Sequence, residues 1–174
     1  MQNPEKSEWI KFIRQLSGKS QRKVYVVNGA PGSGKTTYVQ SHRHDDDLVL
    51  DLDYICAALN ANDKLYGDHS HLLDTALKVK ALILNEIRNQ SGAWNTAFVI
   101  TAESDKAKVN KLARELNAEL ITMHTDLATC VKQLKSDPRR ADQAEKFISL
   151  AEEWYKENQD AEGGELNAPL HNHI

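Results

Sequence analysis

Cysteine is scarce in this chain. Only Cys56 and Cys130 occur in 174 residues, with no CxxC or Cys/His spacing between them. That excludes a disulfide scaffold and the usual zinc modules, and it fits a reducing compartment. Charge of one sign is also lacking, since 22 Lys and Arg stand against 25 Asp and Glu for a net charge of −3. Such a chain has no global field that draws nucleic acid or an anionic membrane, and only a local basic patch stays open. Long apolar runs are missing: YICAAL (54–59) falls far short of the ~20 residues that span a bilayer. The polar start MQNPEKSEW has no positive stretch followed by an apolar one, so a cytoplasmic chain with no membrane partner is expected. There is no repeat at solenoid periods and no low-complexity block, which leaves one domain-sized chain with one core.

Glycine is rare too, at eight residues, yet three of the eight fall within Gly29–Thr37, GAPGSGKTT, directly after the apolar run VYVVN. Glycines there free the backbone to turn successive N–H groups around an anion. The spacing Gly29-x4-Gly34-Lys35-Thr36 is the full GxxxxGK[ST] pattern between an expected strand and an expected helix. Gly29, Ala30, Pro31, Gly32, Ser33, Gly34, Lys35, Thr36 and Thr37 are therefore the candidate cradle for a nucleoside triphosphate, ATP or another. Lys35 reaches the outer phosphates, and the Thr36 hydroxyl stands where Mg²⁺ needs a ligand.

The rest of the chain alternates. EKSEWIKFIRQL (5–16) carries Trp9, Ile10, Phe12, Ile13 and Leu16 mainly on one face and reads as an N-terminal amphipathic helix within 1–18. Strands are expected at 24–28, 48–53, 96–101 and 118–125, with helices after the glycine-rich loop and over 54–60, 71–89, 105–117, 126–137 and 141–157. The 71–89 helix shows a broad apolar face that includes Lys80, and 60–74 reads as a mobile connection. SHRHDDD (41–47) reads as a solvated turn rather than a metal site. The alternation predicts an α/β fold: a parallel sheet in the middle of three layers, spread over 19–157, with a flexible tail at 158–174.

In such a sheet the working groups gather at the C-terminal strand ends. Asp53 lies at the expected end of strand two, 18 residues after Lys35, where a carboxylate can take or orient the proton of an attacking hydroxyl and can also hold the metal. The competing role is that of helix N-cap for YICAAL. Asp51, on the same side of the expected strand and roughly 7 Å back, is the second candidate, holding Mg²⁺ through water. Strand three ends in Thr101 and Glu103, without the strand-end Asp of an ATPase motor. Arg139 and Arg140 in SDPRR suit phosphate oxygens by their planar forks, or else form a solvated basic end to a helix.

GAPGSGKTTY, LDLDY, VITAES and TDLATCVKQLKSDPRR, taken together over roughly 23–140, resemble the small P-loop kinases grouped around polynucleotide kinase, which include many phage-encoded proteins of unassigned substrate. The resemblance implies an adenylate-kinase-like P-loop NTPase fold with strand order 2-3-1-4, with or without a fifth strand beyond. It implies a lid at about 126–140 and catalytic roles for Lys35, Asp53, Arg139 and Arg140. Where polynucleotide kinases commonly place an arginine that contacts substrate phosphate, three residues after the aspartate, this chain has Cys56. The function so implied is transfer of the γ-phosphate of Mg²⁺-ATP to a small molecule, a nucleotide or a nucleic-acid 5′ end. A nucleotide-gated switch without a phosphoryl acceptor is the alternative.

Overall fold

A computed structural model describes residues 22–61 and 65–163, with side chains described through residue 158. The N-terminal helix expected within 1–18 lies outside the described residues. Four strands make one parallel sheet in the order β2-β3-β1-β4. They are β1 (Lys23–Asn28), β2 (Leu48–Leu50), β3 (Thr96–Thr101) and β4 (Glu119–Thr122). The register sets Asn28 level with both Thr101 and Thr122, so these three strands end at one edge. No fifth strand occurs among the described residues.

The alternation within β1 divides the core. Val24 and Val26 face one layer with Val99, Leu50 and Ile87, closed by Val109 and Ala113, whereas Val27 faces the other with Val39, Phe98 and Ile100. A two-residue side-chain period has produced two buried faces, as a sheet covered on both sides requires. The helices are α1 (Lys35–His42), α2 (Leu52–Asn60), α3 (Leu73–Arg88), α4 (Lys106–Glu115), α5 (Leu127–Ser136) and α6 (Ala144–Gly163), with 3₁₀ turns at Ser70–Leu72 and Pro138–Gln143. Asp51, Asp105 and Asp126 cap α2, α4 and α5 by accepting hydrogen bonds from first-turn N–H groups.

Several boundaries differ from the sequence reading. β2 stops at Leu50 rather than at residue 53, because Asp51 ends the extended run by accepting from the Asp53 N–H at 3.0 Å and starting a helix. The cap role considered for Asp53 therefore belongs to Asp51. β4 covers four residues rather than eight. α6 continues to Gly163, past the expected start of the tail at 158, where Asn158 donates to the Trp154 and Ser104 carbonyls. Only Ala76 and Ile87 of α3 are fully buried, and Leu73, Leu77 and Leu82 of its broad apolar face are exposed.

α5 and α6 form an antiparallel pair packed through Leu134, Ile148 and Ala151. This pair lies across the strand edge, where Cys130 and Trp154 bury Ala30. Both cysteines are free and buried. No helix among the described residues is long and apolar enough to cross a membrane.

Candidate active site at the strand ends

β1 runs into the glycine-rich loop, and α1 starts at Lys35. Gly34 caps α1 with φ +90° and no side-chain cap. The three aspartate-capped helices satisfy their own first-turn donors, but this one leaves them to a ligand. Gly32 has φ +77°, and a Cβ there would lie 2.7 Å from the Cys130 carbonyl oxygen and from Leu134, so α5 is pressed directly on the loop. Only glycine meets both conditions.

Pro31, Gly32, Gly34, Lys35, Thr36 and Thr37 line an open cavity of about 470 Å³. Gly29 and Ala30 contribute backbone instead: the Lys35 ammonium donates to their carbonyls at 2.7 and 2.8 Å. Burial holds Lys35 down to about 8, against partial recovery from Asp51. Ser33 is buried, and its Oγ has no hydrogen-bond partner. An orphan hydroxyl, an uncapped helix start and a lysine tethered only to its own loop form a cradle suited to phosphate oxygens.

The same cavity is lined by Asp51, Asp53, Thr101 and Glu103. Asp51 is 7 % exposed and Asp53 is half-buried, in the first turn of α2 rather than on a strand. Burial raises both carboxyls; for Asp53, burial followed by repulsion from Asp51 raises it to about 6. A carboxylate at that level is ionised at neutral pH yet basic enough to take a proton. No cluster of three potential His, Cys, Asp or Glu ligands occurs among the described residues. Thr36 with one or two carboxylates and phosphate oxygens is nonetheless the kind of oxygen set Mg²⁺ accepts, so these residues fit the ion. His42 ends α1, and His44 and the Asp45–Asp47 run form the turn to β2, where Asp47 accepts from the His44 and Thr96 N–H groups.

The structure brings Arg139 and Arg140 to the same cavity. Asp137 accepts from Arg139 Nε and Nη2, both at 2.9 Å, and from Arg140 Nε at 3.3 Å. The side chain sequence reasoning missed is Tyr66. It lies in the connection expected to be mobile, yet it is 3 % exposed. The Arg140 guanidinium sits 3.4 Å over its ring centroid, and Phe147 meets it edge-on at 5.9 Å. A lone tyrosine in a polar stretch gave no periodic signal; only its contrast with the residues around it could have marked it.

A parallel sheet with this loop between β1 and α1 defines a P-loop nucleotide-binding domain. Its sequence matches the AAA_33 model of AAA domains over residues 24–159, and the chain belongs to that family. No curated protein matches the sequence. Among solved structures, the chain is similar to one from the Pnkp1/Rnl/Hen1 RNA repair complex, at TM-score 0.48 and 15% identity over 80% of this chain. It spans about half of that chain, 48%. It is also similar to the tunicamycin resistance protein of Deinococcus radiodurans, at TM-score 0.41 and 15% identity over 88% of this chain and 100% of that one. At these scores neither likeness bears on function.

Proposed function

We propose that this protein is a Mg²⁺-ATP-dependent phosphotransferase acting on a hydroxyl acceptor. The observation that carries the reading is one open cavity lined together by Lys35, Thr36, Asp53, Arg139 and Arg140. The backbone of Gly29–Gly34 holds the triphosphate, and Lys35 exchanges its loop carbonyls for phosphate oxygens. Thr36 and Asp53 would hold Mg²⁺, with Asp51 behind them, and the bound ion supplies charge neutralisation between the phosphates. An acceptor oxygen attacks the γ-phosphorus as the bond to the ADP oxygen breaks, and its proton passes to the free oxygen of Asp53. Asp51 fixes Asp53 by capping the turn that carries it. Arg139 and Arg140 leave Asp137 for the transferring group, where charge builds. The 126–140 segment acts as a lid, within a kinase domain over 19–157.

The test follows labelled γ-phosphate from ATP across nucleosides, nucleotides, 5′-hydroxyl DNA and RNA and small metabolites, with Lys35→Ala as blank. Label on one acceptor class supports the proposal. Tight ATP binding with label on none of them would sink it and favour the second reading, a nucleotide-gated switch. One observation speaks for that reading: Lys35 and both arginines are tied to groups of the chain itself, contacts that nucleotide must break.

A further inference from the structure

Lys80 belongs to the inward face of α3, in line with Ala76 and Ile87, which are fully buried, and Ile83, which packs on the same core. An inward lysine on a helix of this kind is costly unless its ammonium has a use. The other described cations of α3 are placed conventionally: Lys78 pairs with Asp74 at 2.6 Å and Arg88 with Glu115 at 3.2 Å, both on the exposed face. Lys80 instead is half-buried and lines the cavity beside Asp51, Asp53 and Thr101. Among the described residues no hydrogen bond or ion pair closes on its ammonium, whose charge is felt by Asp51.

Lys35 and Arg140 share this cavity and act on Asp51 too, but each has a fixed partner, the Gly29 and Ala30 carbonyls for Lys35 and Asp137 for Arg140, which Lys80 lacks among the described residues. Two neighbouring carboxylates repel an anionic acceptor, and a lysine without a fixed partner offsets that repulsion for an acceptor with its own negative group. Cys56 cannot do this: it is buried, and its thiol is held up by burial and by Asp53. We infer that Lys80 determines acceptor specificity, binding an anionic group, phosphate or carboxylate, borne by the molecule whose hydroxyl Asp53 serves. The inference rests on the phosphotransfer reading for the identity of that hydroxyl, but the anion site can be tested without turnover.

The full chain saturated with Mg²⁺ and a non-hydrolysable ATP analogue is titrated calorimetrically with cytidine 3′-monophosphate, inorganic phosphate, glycerate and cytidine. These probes separate phosphate from carboxylate and both from a neutral nucleoside. At least one anionic probe should bind about tenfold or more tighter than cytidine, and Lys80→Ala should remove that preference while Lys80→Arg keeps most of it. Affinity for the ATP analogue should stay within about twofold in both variants, since no hydrogen bond or ion pair ties Lys80 to the loop among the described residues. Equal binding of anionic and neutral probes by the unaltered protein overturns the inference, as does no binding of any anion. An equal loss for cytidine and anions in Lys80→Ala also overturns it, because Lys80 would then merely balance the carboxylates. Anion binding intact with no label transferred would count against phosphotransfer while leaving the Lys80 site standing.

Discussion

Replacing Asp53 by Asn should remove phosphoryl transfer and at the same time make the unliganded protein more stable at neutral pH. The fold holds the Asp53 carboxyl at about 6 against an ordinary 3.8, through burial first and Asp51 second, even after attraction to Arg140 and Lys35. Each tenfold change in proton affinity is worth about 1.4 kcal/mol, so ionising this group in the folded state costs about 3 kcal/mol more than in the unfolded chain. The sign follows from which state holds the proton. Between 3.8 and 6 the unfolded chain has given up the proton and the folded one retains it, so stability falls as pH rises through that window, then stays level. Asn has nearly the same shape and no charge, and it recovers up to that amount above pH 6. For a chain of this length 1 kcal/mol moves the melting temperature by about 2–4 °C, so a rise of up to about 6–12 °C at pH 7.5 is expected, shrinking to about 1–2 °C at pH 4. Thermal unfolding followed by circular dichroism at both pH values provides the assay. A melting temperature unchanged or lowered at pH 7.5, or a gain of equal size at pH 4, would refute the reasoning. The same variant should lose about 10²–10⁴-fold in transfer rate if Asp53 takes the acceptor proton.

The remaining expectations concern the loop and the clamp around it. Because burial holds Lys35 near 8, ATP affinity of the free protein measured by fluorescence titration should fall as pH rises past 8, as the ammonium loses its proton; a flat profile from 7 to 9 would count against that position. Tyr66→Leu should free Arg140 from the ring it covers and raise the KM for ATP about tenfold, whereas Tyr66→Phe keeps the stack and should leave that KM within about twofold. Identical behaviour of the two variants would show that the stack contributes nothing. Gly32→Ala must place a methyl against the Cys130 carbonyl and Leu134 at positive φ, and a loss on the order of 1–3 kcal/mol should be read in denaturant unfolding.

Local chemistry determined much of this protein by sequence alone. Glycine spacing, Lys35 and Thr36 specify the phosphate loop because backbone freedom and donor placement there act over only a few residues. Two-residue alternation in β1 and the aspartates before α4 and α5 mark a sheet between helices for the same reason. The exact end of β2 was not legible, since LVLDLD suits a strand until the Asp51 side chain captures the Asp53 N–H and turns the chain. Tertiary structure alone decided the rest, because the remaining cavity groups converge from distant segments. Tyr66 from a polar connection, Lys80 from a helix whose Leu73, Leu77 and Leu82 stay exposed, and Arg140 after Pro138 meet at one strand edge. No periodicity encodes such a meeting. It follows from how α3 and the α5–α6 pair pack on the sheet, and that packing is fixed only by the sum of contacts across the whole domain.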